Sequence, residues 1–255
     1  MADLNGIGAN LNKVLGQFQP ITLEEMDSVK LMDRFDTKYY FNVNSIENIL
    51  NQALKHYRIL EISKIRQFHY QTTYFDTPDL LLYREHQNGK LNRFKIRQRR
   101  YDATGAEFFE VKFRTNNGRT LKSRIINNSP EYLNDKTDIF LKKFSPYSIK
   151  NLQKAIKNDF TRITLVDCNY SERVTIDYNV NFSNCTGSIE FPFLGVLEEK
   201  QGSHNGKSQI VQIMKDLKIR PASISKYCLG VASLFNGVKT NNLKSQIIKI
   251  NNYLQ

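Results

Sequence analysis

The chain has 255 residues, with 37 Lys+Arg against 25 Asp+Glu for a net charge of +12, and it carries 16 Phe and 13 Tyr. That aromatic content excludes a disordered chain, and 12 Gly with 6 Pro exclude a collagen-like or linker protein. No stretch approaches the ~18 apolar residues of a membrane span, so the charge excess points to an anionic partner: nucleic acid, an anionic membrane surface or polyphosphate.

In chain order, Leu4, Ile7, Leu11, Val14, Leu15 and Phe18 recur at helical spacing, and Thr22 with Glu25 forms a capping box for a second short helix. From Arg34 the period changes. Thr37, Tyr39, Phe41 and Val43 alternate with Asp36, Lys38 and Tyr40, as in a strand. A helix is expected over Ser45–Tyr57 and a strand over Arg66–Phe75. Thr77-Pro78 reads as an N-cap with Pro at the first helical position, opening a short helix over Leu80–His86, and Asn88-Gly89 marks a turn. Strands follow over Asn92–Tyr101, Glu107–Thr115 and Arg119–Ile126. Helical segments are expected near 131–143 and 147–158, then strands over Thr161–Tyr170 and Glu172–Phe182, with one or two more within 187–200. Helices over Ser208–Leu217 and about Ala222–Phe235, and an amphipathic tail with Leu243, Ile247, Ile250 and Leu254, complete an α+β arrangement.

Alternate side chains of a strand point to opposite faces. Arg93, Lys95, Arg97 and Arg99 therefore share one face, opposite Phe94 and Ile96. Glu110, Lys112 and Arg114 oppose Phe109, Val111 and Phe113. Lys122 and Arg124 oppose Leu121 and Ile125; Arg173, Thr175 and Asp177 oppose Val174 and Ile176; Lys38 opposes Tyr39 and Phe41. A solvated face mixes its signs, whereas successive cations on one face repel unless an anion lies between them. A closed antiparallel β-barrel of about eight strands satisfies the pattern, its apolar face outward under the helices and its charged face lining a basic tunnel. Cations so buried need a polyanion, and the few acids among them, Glu110, Asp177 and Glu198, could hold a divalent metal that bridges phosphate oxygens. The expected ligand is a thin, dense anion such as triphosphate or polyphosphate; duplex nucleic acid is too wide for such a bore.

DRFDTKYYF at 33–41, TTYFDTPDLLLYRE at 72–85, NRFKIRQRRY at 92–101 and FFEVKFRT at 108–115 continue with RTLKSR at 119–124, RVTIDYNVNF at 173–182, VLEEK at 196–200 and SKYC at 225–228. Together these eight pieces resemble the triphosphate tunnel metalloenzyme superfamily and, within it, the VTC (vacuolar transporter chaperone) polyphosphate polymerase domain. The resemblance implies a closed tunnel and divides the chain into an N-terminal helical segment (1–33), the tunnel domain (34–236) and an amphipathic tail (237–255). By position, Lys38 matches the basic residue of the first tunnel strand. Arg97 and Arg99 match the R-x-R pair that holds the transferring phosphates, with Lys95 preceding them on the same face. Lys112 and Lys122 resemble further phosphate ligands, and Arg173 an arginine near the acceptor or terminal phosphate. Lys226 matches the lysine of a C-terminal SK[YF] motif, and Glu198 the metal-binding glutamate of a LEVK-like motif. That motif reads LEEK here, and alternation turns Glu199 to the opposite face. Glu110 reads as the ion-pair partner of a tunnel cation in preference to a second metal ligand.

The implied activity is inorganic polyphosphate synthesis from ATP. Lys38, Arg97, Arg99, Lys112, Arg173 and Lys226 are the expected catalytic set, with Lys95 and Lys122 adding to substrate binding and Mn2+ or Mg2+ carried by Glu198. The alternatives are a metal-dependent triphosphatase of the same fold and a non-catalytic polyphosphate-binding module. The expected partners are ATP and polyphosphate, with no nucleic acid, no membrane insertion of the chain itself and any membrane-protein partner unidentified. Loss of Arg97 or Lys112 is expected to leave the fold intact or more stable, by relieving cation crowding. The start, MADLNGIGANLNK, lacks the pattern of a secretory signal, and Cys168, Cys185 and Cys228 show no paired spacing, so a cytoplasmic location is expected. The cysteines read as small buried residues. GSHNGKS at 202–208 has three residues between its glycines where a P-loop needs four, and the four histidines show no metal-ligand spacing.

Overall fold

The structure, a computed structural model, describes residues 4–27, 35–129, 131–202, 208–223 and 225–252. It opens with α1 (Leu4–Gln17), β1 (Pro20–Ile21) and α2 (Leu23–Asp27). The capping box of α2 is present: Thr22 Oγ1 accepts from the Glu25 N–H, and the Glu25 carboxylate accepts from the Thr22 N–H. Next come β2 (Phe35–Asn42), α3 (Ile46–Ala53), β3 (Tyr57–Leu60), β4 (Phe68–Asp76) and α4 (Leu81–Gln87). The centre is β5 (Arg93–Tyr101), β6 (Ala106–Arg114), β7 (Thr120–Ile126), α5 (Asp135–Phe144), β8 (Gln153–Asp167) and β9 (Glu172–Ser183). The chain continues through β10 (Ser188–Phe191), β11 (Leu194–Gln201), α6 (Gln209–Asp216), α7 (Lys226–Leu234) and α8 (Lys244–Asn251). No helix among the described residues is long and apolar enough to cross a membrane.

The strands form one sheet, and eight of them follow the path β2-β11-β9-β8-β4-β5-β6-β7 with every neighbour antiparallel. The α+β reading and the helices outside the sheet hold; the described strands do not complete the expected closed barrel. Its two end strands, β2 and β7, share no ladder among the described residues. Both carry cations on the same face, Lys38 on β2 and Lys122 and Arg124 on β7. The sheet is still strongly curled. Lys38 on β2 bears on Lys95 of β5, and Glu198 on β11 bears on Lys112 of β6, although four strands intervene in each case.

Register decides which side is charged. Arg97 lies opposite Glu110, itself opposite Arg124, and Lys95 lies opposite Lys112, itself opposite Lys122. The residues between them face outward, where Phe75, Ile96, Phe109 and Val111 pack with Phe140 and Leu141 of α5. On the other half of the convex side, Tyr39, Phe41, Ile163, Val174, Ile176 and Leu197 lie under Leu15 of α1, Ile49 of α3 and Met214 of α6. A third cluster fills part of the concave side. There α7 brings Cys228, Leu229 and Val231 against Tyr40, Tyr74, Ile156, Phe160 and Phe182, and the C-terminal tail joins through Leu243 and Ile250. Gly230 makes that approach possible, since a Cβ there would stand 2.6 Å from the Phe182 ring.

Two elements differ from expectation. The segment near 147–158 is a short 3-10 turn (Ile149–Asn151) that runs straight into β8. This strand is paired along both edges, to β4 and β9, and two ladders outweigh a local helical pattern. The helix expected over Ser45–Tyr57 stops at Ala53, and Tyr57 begins β3, which pairs with β8.

Candidate functional site

Three carboxylates face the concave side, and each is gripped by two cations. Glu110, fully buried, accepts from Arg97 Nε at 2.6 Å on one oxygen, which Nη2 also approaches to 2.5 Å as an ion pair, and pairs with Lys122 through the other. Asp177 accepts from Arg162 Nε at 2.5 Å and Nη2 at 2.7 Å, one on each oxygen, and also from Lys226. Glu198 pairs with Lys38 at 2.9 Å and with Lys200 at 2.8 Å. Burial works to raise all three pKa values, but the paired cations outweigh it: Glu110 and Glu198 are held well below the usual carboxylate range and Asp177 at about 2.

A second set of cations on the same face has no carboxylate within ion-pair distance among the described residues. Lys95 and Lys112 are directly opposed in register, with Arg93 and Arg114 opposed one layer further on. Burial, and then the charges of Arg93, Lys38 and Arg97, push the Lys95 ammonium down to about 8. For Lys112 the Arg97 guanidinium is the larger influence and burial the second, and together they hold it well below the ordinary lysine range. Arg99 donates from Nε to Thr72 Oγ1 at 3.1 Å and stands over the rings of Tyr70 and Phe160. Held this close, the cations repel one another, and a polyanion between them removes that cost.

The fold thus gathers Lys38, Lys95, Arg97, Arg99, Lys112, Lys122, Glu198 and Lys226 on one curled face. Ser225 caps α7 by accepting from the Cys228 N–H, and this starts the helix with Lys226 directed at Asp177 and over the Phe160 ring, 4.2 Å from its centroid. Arg173 lies one layer beyond Thr175, opposite Lys200. Two cations went unassigned in the sequence. Lys200, two residues past Glu198 and on its face, was readable from alternation. Arg162 was not, because its meaning comes from standing opposite Asp177 across the β8–β9 ladder. Glu199 faces the convex side between Thr37 and Val174, as alternation requires, and Glu110 is the ion-pair partner it was expected to be.

No group of three or more His, Cys, Asp or Glu among the described residues is arranged around a common point. This donor chemistry suits Mg2+ or Mn2+, ions that take one or two carboxylates and otherwise bind water and substrate phosphates. Glu198 is the best-placed donor. Its cross-strand neighbour Thr175 carries a buried hydroxyl with no hydrogen-bond partner, which gives a second oxygen on the same side.

The TTYFDTPD segment plays a different part. Asp76, fully buried, accepts from the backbone N–H groups of Thr77, Leu82 and Tyr83 at 2.7, 2.8 and 2.9 Å and from the Tyr227 hydroxyl. It ties the start of α4 to α7 and, among the described residues, pairs with no concave-face cation. Pro78 does not start the helix, which begins at Leu81 after Leu80 at φ 56°. Cys228 is buried as expected, whereas Cys168 and Cys185 are exposed in the turns on either side of β9. The core of the GSHNGKS segment, 203–207 with His204, lies outside the described residues, as do Asp33 and Arg34 of the first motif.

The family model described as the VTC domain matches residues 33–235, and the chain belongs to that family. No curated protein matches it. Among solved structures it is similar to a candidate adenylate cyclase from Bacillus halodurans, with TM-score 0.51 and 13% identity over 80% of this chain and 100% of that one. A candidate adenylyl cyclase from Hippeastrum, described as having a dominant triphosphatase activity, aligns with TM-score 0.48 and 12% identity over 79% and 97% of the two chains. One from Vibrio parahaemolyticus aligns with TM-score 0.46 and 12% identity over 76% and 97%. At such identity the Bacillus structure shows a common fold and nothing finer. Family and fold together support a phosphoryl-related function of the tunnel-fold type.

Proposed function

We propose that this chain is a phosphotransferase that lengthens inorganic polyphosphate with the γ-phosphate of ATP on its concave cationic face. VTC-family membership supports the class. The observation that carries the reading is the opposed Lys95–Lys112 pair, with no carboxylate within ion-pair distance among the described residues, beside Arg97 and Arg99 on the curled face. A string of phosphates matches that row of charge.

In the transfer, a terminal polyphosphate oxygen bonds to the γ-phosphorus while the bond from that phosphorus to the ADP oxygen breaks. Positioning and charge neutralisation do most of this work. Arg99 and the free Nη1 of Arg97 supply planar donors, and Lys38, Lys95, Lys112, Lys122 and Lys226 supply point charges. Arg173, at one end of the face, orients the attacking phosphate. Glu198 would hold Mn2+ or Mg2+, with Thr175 beside it; when bound, the metal neutralises charge on the phosphate oxygens.

Transfer to phosphate is favoured over transfer to water because the three carboxylates are poor bases. Each is clamped by two cations and kept anionic. A phosphate end is already anionic near neutral pH and needs no base, whereas water does. The test is incubation with ATP and Mn2+, with products resolved by chain length. Polymer supports the proposal. Free phosphate alone means a triphosphatase, and tight polyphosphate binding without ATP turnover means a binding module.

A further inference from the structure

At the β7 edge of the sheet, a groove of about 530 Å³ runs between β7 and α5. Three consecutive strand residues, Ser123 to Ile125, line it, so the strand presents its edge there and not one of its faces. From α5, Lys136, Ile139 and Lys143 form a stripe at helical spacing, with Phe144 beside it. β7 ends the sheet path and pairs only with β6 among the described residues, so about half of its backbone N–H and C=O groups point away from any ladder. Natural edges are commonly covered or guarded. This one is flanked by exposed apolar side chains, with Ile139 72%, Ile126 57% and Phe144 39% accessible. The charges lining the groove, Arg124, Lys136 and Lys143, are all positive. Lys136 Nζ donates to the Ile126 carbonyl at 2.7 Å and closes one end.

We propose that this groove docks an extended segment of a partner protein in which acidic and apolar residues alternate, added to β7 as a further strand. The alternation follows from the two walls. One side of an added strand meets Ile139 and Phe144 of α5, and the other meets Arg124, which β7 directs to the opposite face. A second copy of this chain is a poor occupant, because pairing β7 with β7 sets Lys122 and Arg124 against the same cations.

The test uses the full chain, saturated with tripolyphosphate, and a fluorescent eight-residue peptide alternating glutamate with valine, read by anisotropy. The expected result is saturable binding that weakens at least tenfold when lysine replaces glutamate and is lost when alternate peptide amides are N-methylated. Ile139→Glu, a substitution at an exposed site, is expected to weaken binding at least tenfold with the melting temperature unchanged. Peptide binding that appears only when tripolyphosphate is left out would assign the peptide to the concave face and overturn the proposal. Equal binding of the N-methylated peptide would overturn strand addition. Self-association of the chain abolished by Ile139→Glu would make a second copy the occupant and overturn the choice of partner.

Discussion

The carboxylate-bridged cations of the concave face and the Lys95–Lys112 stretch of β5 and β6 have the same sign and the same neighbours, yet they stand in opposite electrostatic positions. Arg97, Lys122, Arg162, Lys226, Lys38 and Lys200 each have a carboxylate to hold them in place. Lys95 and Lys112 face each other with none among the described residues. The first group is fixed by the fold and keeps its geometry with or without a ligand. The second is a charge excess that an anion completes. One surface therefore combines a preorganised frame with a region whose own repulsion favours binding.

The largest expected effect sharpens this contrast. Lys112→Ala should lower polymer formation from ATP by roughly 100- to 1,000-fold, the scale for losing one preorganised electrostatic contact, while the melting temperature stays level or rises. Unfolding of that variant would break the comparison. Arg97→Ala should lose comparable activity but also cost about 3 kcal/mol of stability, because buried Glu110 is left with one partner of two. This revises the expectation that both substitutions would be tolerated alike. Denaturant unfolding of the two variants side by side checks it, and Arg97→Ala combined with Glu110→Ala should recover part of the loss.

A smaller effect is set by pH. In the free protein Lys95 and Lys226 give up their protons near 8, and a bound polyanion raises both values. Binding then takes up protons above that point, so tripolyphosphate affinity should fall by about tenfold per lysine between pH 7 and 9. The unfolded chain keeps these protons to higher pH, so ligand-free stability gains a contribution that grows as pH rises above 8; calorimetry across this range reads both effects. The smallest effect is at Glu198. Glu198→Gln releases Lys38 and Lys200 and should strengthen metal-free tripolyphosphate binding a few-fold, while more Mn2+ is needed for turnover. Unchanged metal dependence would place the metal elsewhere.

Much of this was legible because a strand has a period of two. The charged run Arg93–Arg99 and its apolar counterpart Phe94 and Ile96 separate by parity alone, and parity also turned Glu199 outward. Pairing across ladders was not legible. That Arg162 meets Asp177 depends on the register of the β8–β9 hairpin, which shifts at an irregularity between Asp159 and Thr161. The gap between β2 and β7 likewise depends on how the ends of an eight-strand path meet, and no local pattern encodes that. Cys168 and Cys185 were misread as buried because turn geometry, and not residue type, sets their exposure.

Asp76 gives the functional face a dependence on a residue that never reaches it. Its carboxylate anchors Tyr227, and the side chain immediately before, Lys226, reaches into the cationic face. A lesion at Asp76 would misdirect a lysine encoded 150 positions downstream, and in an activity screen it would score like damage to the phosphate contacts themselves. Heat would tell the two apart: the bracket's loss lowers the melting point, whereas trimming an unpaired lysine does not.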